Sequence, residues 1–258
     1  MLSKIFKVLI VFGAFVFIFR HCGYNRGCFR HSFFNSSNIR GEGSITKQTR
    51  EVGAFTKLSV ESSVDVEIMQ GTTASVVIET YPNIAQYIET VVEDGTLKIR
   101  EKKESGTFLG FSVDKAIRVY VTNPNFNEIN VRGSGDLEAK NKLTATDLNI
   151  SVTGSGNAKL EEIVATKAIV DITGSGNIEV QGGATDDLNI HVVGSGDANL
   201  INCVSKSVTA KVSGSGNLKC NATEKYDLRV SGSGDIRYKK SSATVNSNTS
   251  GSGSIETE

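Results

Sequence analysis

The amino-acid sequence predicts an all-β chain, a right-handed parallel β-helix with coils of about 20 residues and an N-terminal β cap. Three observations predict it. Gly-Ser-Gly recurs at residues 133, 154, 174, 194, 214, 232 and 251. Apolar residues alternate at a spacing of two on both sides of each copy. Gly is abundant at 26 residues while Pro is held to two, the composition of a repeated turn rather than of a disordered tract.

The residue after each Gly-Ser-Gly is Asp136, Asn157, Asn177, Asp197, Asn217, Asp235 and Ser254. Gly, Asn and Asp tolerate left-handed backbone geometry, and Ser, Asn and Asp side chains bond nearby backbone groups in turns. Each copy therefore reads as a sharp corner. Before the corners stand the pairs Ile129/Val131, Ile150/Val152, Val170/Ile172, Ile190/Val192, Ala210/Val212 and Leu228/Val230. After them stand Leu137/Ala139, Ala158/Leu160, Ile178/Val180, Ala198/Leu200, Leu218/Cys220 and Ile236/Tyr238. A period of two means a strand with one buried face. One repeat holds two such strands and a third side of seven or eight residues that closes the coil.

Neither strand buries its apolar face alone. Stacking the repeats in register makes each apolar column continuous and pairs each strand with its copy one coil away. The connections should be right-handed. At ~4.8 Å per coil, the seven copies make a rod on the order of 30 Å long. Two residues beyond the Asp/Asn column run Glu138, Lys159, Glu179, Asn199, Lys219, Arg237 and Glu256, so unlike charges often adjoin along the rod. Such pairs contribute ~0.2 to 1 kcal/mol each and act as a mild register device. Cys220 takes an inward position and Cys203 lies on the third side of the preceding coil. Their three-residue offset, ~10 Å along a strand, exceeds the ~7 Å reach of a disulfide, so both are expected to be buried free thiols.

The regular coils span 129–258, and residues 41–128 hold degenerate first coils and the cap. Leu58 to Ile68 aligns without a gap on Ile129 to Ala139, with Ser62-Ser63-Val64-Asp65 in place of Gly-Ser-Gly-Asp. Ile39 and Gly41 to Ile45 read as the strand before it. Ala74 to Thr80, Val91 to Arg100 and Ile117 to Thr122 are strand-like, and Asp94-Gly95 reads as a hairpin turn after Ile88 to Glu93. The charges of Ile255-Glu256-Thr257-Glu258 at the C-terminal end discourage edge-to-edge growth.

Residues 1–22 read as a signal or membrane-anchor segment and 23–40 as a tether. Lys4 and Lys7 precede the apolar stretch Val8 to Phe19, which has the length of a signal-peptide core and falls short of the ~20 residues that span a bilayer. Phe19-Arg20-His21 before Cys22 fits neither a small-residue cleavage site nor a lipoprotein box. The reading is an uncleaved anchor, with a cleaved signal or an atypical lipoprotein signal as alternatives, and an exported chain in the cell envelope, membrane-anchored or on the outer surface. His21, Cys22, Cys28 and His31 lie close together without the tight Cys pairs of zinc sites; they read as juxtamembrane residues.

The 28 basic and 28 acidic residues balance, which excludes the global field that attracts nucleic acid. Catalysis needs acids and bases converging in a cleft, whereas the carboxylates here are spread along columns and the corners are too short to build one. The chain has no Trp and only three His, with His191 alone on an outward position. Calcium turns of β-rolls repeat every nine residues or so with Asp throughout; here the period is longer and Asn stands in three of the seven copies. Gly-Ser-Gly precedes strands, not the helices that cradle phosphate. No catalytic, cofactor-binding or metal residue is nominated, and the binding residues stay unassigned.

The motifs Phe55-x-x-Leu58-x-Val60, Val64-Asp65-Val66-Glu67-Ile68-x-Gln70-Gly71 and Glu93-Asp94-Gly95-Thr96-Leu97-Lys98-Ile99, followed by the Gly-Ser-Gly-Asp/Asn array, resemble the auto-transporter adhesin, head GIN domain family of Bacteroidetes. The resemblance covers residues 41–258. It implies a β-helical domain of the cell envelope with an adhesive role. With no catalytic constellation in the sequence, the reading is a non-catalytic module that binds a surface glycan or protein, or a second copy of itself. The alternatives are a periplasmic structural or signalling scaffold and a β-helix that binds or cleaves polysaccharide.

Overall fold

The computed structural model describes residues 37–102, 109–113 and 117–258. The anchor segment and nearly all of the tether lie outside the described residues, as do His21, Cys22, Cys28 and His31. Among the described residues no helix is long and apolar enough to cross a membrane.

Among the described residues nineteen strands and one helical turn follow in order: β1 Ser37–Arg40, β2 Thr46–Arg50, β3 Lys57–Glu61, β4 Asp65–Gln70, β5 Ser75–Thr80, α1 Pro82–Ala85, β6 Ile88–Glu93, β7 Thr96–Glu101, β8 Leu109–Ser112, β9 Arg118–Asn123 and β10 Glu128–Gly133. The array continues through β11 Leu137–Gly154, β12 Ala158–Gly174, β13 Ile178–Val180, β14 Gly183–Gly194, β15 Ala198–Gly214, β16 Leu218–Gly232, β17 Ile236–Tyr238, β18 Thr244–Gly251 and β19 Ile255–Thr257.

From β10 onward every ladder is parallel and each coil pairs with the next. Between β11 and β12 the pairing falls into three runs, Leu137 to Ala139, Lys142 to Ala145 and Asp147 to Gly154. The third side is thus a strand like the other two, and it joins them into one element because only a register shift at Ala139/Lys142 and a skipped residue at Thr146 mark the bends. The strand alternation fills the interior as the sequence predicts. Ile129, Ile150, Val170, Ile190, Ala210 and Leu228 form one column in which every member is fully buried. Each large aliphatic member contributes roughly 1.5–3 kcal/mol.

The degenerate coil takes its predicted place. Leu58 and Val60 of β3 pair with Ile129 and Val131 of β10, and Val66 and Ile68 of β4 pair with Leu137 and Ala139 of β11. On its other side lies a further layer supplied by later residues. There β7 pairs with β3 through Leu97 and Ile99, and β9 pairs with β4 through Val119 and Val121. The chain therefore runs past its first coil, lays down the layer beyond it, and returns at Glu128 to stack in the opposite direction. That layer is closed by antiparallel partners, β6 on β7, β5 on β9 and β2 on β5. The hairpin turn between β6 and β7 is Asp94-Gly95, both with positive φ, 51° and 71°, the geometry that suits two-residue hairpins.

One expectation is corrected. Ile39 does not precede the first coil in the stack: β1 pairs in parallel with β8, placing Ile39 opposite Phe111 in a separate two-stranded sheet. Gly41 to Ile45 forms no strand, and β2 begins at Thr46. Alternation over so few residues fixes a strand and leaves its partner open.

Candidate binding faces of the solenoid

The corners divide their work between residues. The first glycine of each Gly-Ser-Gly, from Gly133 to Gly251, has φ between 118° and 130°, a region closed to L side chains. The second glycine is required by close approach instead. A Cβ on Gly196 would stand 2.0 Å from the Gly176 carbonyl oxygen, and one on Gly216 would stand 2.0 Å from that of Gly196.

The Asp/Asn column does something the sequence reading missed. No member of it takes a positive φ; the side chains bond the neighbouring coil rather than their own turn. Asp136 Oδ1 accepts from the Asn157 N–H at 2.9 Å and from Asn157 Nδ2 at 2.8 Å. Asn157 Oδ1 accepts the same two donors from Asn177 at 3.1 and 2.8 Å. Asn177 receives the Asp197 N–H at 2.9 Å, and Asp197 receives both donors of Asn217 at 2.7 and 3.0 Å. The ladder runs on through Asp235 to Ser254, whose N–H and hydroxyl both donate to Asp235 Oδ1, at 2.8 and 3.0 Å. These donors, the backbone N–H foremost, hold the Asp235 carboxyl below the usual aspartate range. At its other end Asp65 Oδ1 accepts the Asp136 N–H at 3.3 Å. From Asp136 onward no two carboxylates are neighbours in the column. The signal was present in the sequence as that spacing of Asp and Asn.

Two shallow grooves of about 370 and 410 Å³ lie along this edge, the first between Asp197, Asn217, Asp235 and the outward Lys219 and Arg237, the second between Asp136, Asn157, Asn177 and the outward Glu138, Lys159 and Glu179. The outward charges align in register, Glu138 beside Lys159 and Lys159 beside Glu179. Their ion pairs run elsewhere: Lys140 with Glu138 at 2.5 Å and Lys219 with Glu258 at 3.0 Å. The expected register device therefore rests on the amide ladder rather than on this charge column.

On the face before the corners, His191 is not alone. Its Nδ1 lies 3.0 Å from Asp171 Oδ1 one coil away, and Lys211 and Arg229 continue the same row. The third side carries Thr144, Val164, Ala184 and Val204 in register along an open groove of about 560 Å³. A fourth groove near the cap, about 770 Å³, is lined by Glu61, Glu89, Glu101, Arg100, Lys102 and Arg132. Among the described residues no three His, Cys, Asp or Glu side chains gather as a metal site would require. Cys203 and Cys220 are buried and unbonded, and burial pushes both thiols up to about 12.

Residues 54–242 of the chain match a family model described as "putative auto-transporter adhesin, head GIN domain". The chain belongs to this family. A crystal structure of a putative adhesin from Bacteroides fragilis is similar, at 27% identity and a TM-score of 0.78 over 86% of this chain and 100% of that one. A putative adhesin from Parabacteroides distasonis matches at 22% identity and a TM-score of 0.70, again over 86% of this chain and all of that one. A putative lipid binding protein from Parabacteroides distasonis matches at 24% identity and 0.69 with the same coverage; these last two likenesses concern the fold. No curated protein matches the chain.

Proposed function

We propose that this chain is a non-catalytic binding module of the cell envelope, an adhesin-like rod that engages an extended surface ligand, glycan or protein, along its outer faces. The observation that carries this reading is the ladder edge, where a row of Asp, Asn and Ser side chains repeats once per coil from Asp65 to Ser254 beside open grooves. Such a row offers many equivalent weak contacts at one spacing, which suits a polymeric or extended partner better than a small substrate. Along the regular coils the titratable groups are arranged in lines rather than gathered as the acids and bases of a cleft are, and in the charged groove near the cap Arg100 is paired with Glu89 at 2.6 Å. Membership of the adhesin family agrees with that geometry.

Export to the envelope belongs to the same proposal, through residues 1–22 as anchor or signal. Protease accessibility of a C-terminal epitope tests it on intact cells, on cells with a permeabilised outer membrane, and on lysed cells. Digestion on intact cells is the expected result. Protection until the outer membrane is opened would favour a periplasmic scaffold, and protection until lysis would overturn export.

A further inference from the structure

Strand β18, Thr244–Gly251, lies at the C-terminal end of the stack. It pairs with β16 through Tyr226–Val245, Leu228–Ser247 and Val230–Thr249, and among the described residues its opposite edge carries no strand. Edge strands are commonly blunted by charge, proline or a bulge. None of these is present in Thr-Val-Asn-Ser-Asn-Thr-Ser-Gly, although 22% of the chain is charged. The strand also reads nearly the same in both directions about Ser247: Asn246 mirrors Asn248, Val245 mirrors the isosteric Thr249, and Thr244 mirrors Ser250.

We infer that β18 is the contact strand of a closed homodimer, in which two rods join at their C-terminal ends by antiparallel β18 pairing about a two-fold axis through Ser247. An isologous contact requires a self-complementary surface, and this strand supplies one at each position from Thr244 to Ser250. On the inward side, Val245 of one copy meets Thr249 of the other, so the columns of Tyr226 and Val230 continue across the junction. On the outward side Asn246 meets Asn248, and each amide brings both a donor and an acceptor. The axis through the middle of this side of the coil exchanges the other two sides. It therefore carries β19, with Glu256, toward the side of the second copy that bears Lys239 and Lys240, while Glu258 keeps Lys219 of its own chain as partner. A shift by one residue would turn the inward residues outward and place unlike partners opposite one another. The contact consumes the β18 edge of each copy, so it does not propagate through that edge.

The test uses the full-length chain in mild detergent with Cys22→Ser and Cys28→Ser, so that only the buried Cys203 and Cys220 remain. Directly opposed residues in an antiparallel pair have Cα atoms about 4.5–5.5 Å apart, within disulfide range. Ser247→Cys should therefore form an intermolecular disulfide under mild oxidation, while Ser195→Cys, at an exposed corner on the side of the rod, should not. Without cross-linking the protein part of the detergent-bound particle should have twice the 27.6 kDa chain mass. The pair Asn246→Lys and Asn248→Lys should weaken dimerisation at least tenfold with an unchanged far-ultraviolet spectrum. A monomer with no Ser247→Cys cross-link, equal cross-linking at Ser195→Cys, or a dimer indifferent to the lysine pair would each overturn the inference. These outcomes are independent of whether the outer faces bind a glycan.

Discussion

Asn157 donates twice to one oxygen of Asp136, through its backbone N–H at 2.9 Å and its side-chain Nδ2 at 2.8 Å. That double contact locks one coil to the next at a single register, and it needs an amide where a carboxylate would fit equally well by shape.

Asn157→Asp removes the side-chain donor and sets a second carboxylate against Asp136. Like charges so placed raise each other's pKa in the folded state, so the penalty is present at neutral pH and fades as pH falls and the carboxyls protonate. The expected loss is about 1–3 kcal/mol near pH 7, shrinking toward pH 4. Urea unfolding of the variant and the parent at both pH values checks it; an equal loss at both would remove the electrostatic part of the explanation.

At the C-terminal end of the ladder, Ser254 holds the Asp235 carboxyl below the usual aspartate range through its N–H and its hydroxyl. A depressed folded pKa stabilises the protein above the unfolded aspartate value, and that stabilisation is lost as pH falls through the folded value. Carbon-detected NMR titration should show Asp235 titrating late on acidification, and Ser254→Ala should move its pKa upward while leaving the other ladder members in place. The backbone N–H survives that substitution, so a partial return is expected.

Gly196→Ala and Gly43→Ala separate two reasons for glycine. The first drives a Cβ to 2.0 Å from a carbonyl oxygen of the preceding coil; the second has φ of 84° with nothing within 4 Å. Backbone at that distance cannot yield without parting two coils, so Gly196→Ala should cost on the order of 4 kcal/mol or prevent folding. Gly43→Ala should cost about 1–2 kcal/mol from the left-handed conformation alone. Thermal melting of the two variants distinguishes them.

Cys203 and Cys220, with thiols pushed up to about 12 by burial, should be inert to thiol reagents at neutral pH, because the thiolate is the reactive form. In the protein carrying Cys22→Ser and Cys28→Ser, labelling should proceed only at the rate of opening and become complete in denaturant. Prompt labelling of either thiol in the native protein would contradict its burial.

Leu218→Asp places a charge in a fully buried column and should unfold the array. Lys159→Ala changes an exposed outward position and should stay within ~0.5 kcal/mol of the parent. Loss of the far-ultraviolet strand signal in the first and its retention in the second is the expected pair of results; the reverse would break the inward and outward assignment.

The sequence by itself determined the coil: glycine at each corner, inward columns such as Ile129 to Leu228, and the gapless match of Leu58 to Ile68 on the first regular repeat all follow from a period of two interrupted at a period near twenty. These features repeat, so each copy reports the same local rule. Only the tertiary structure decided what a single copy cannot express. It placed β7 and β9 on the far side of the first coil, gave β1 to β8, moved the Asp/Asn side chains from their own turns onto the next coil, and set Asp171 beside His191. Each is a contact between residues distant in the chain whose partner depends on stacking order, and alternation along one strand specifies a buried face without specifying its neighbour.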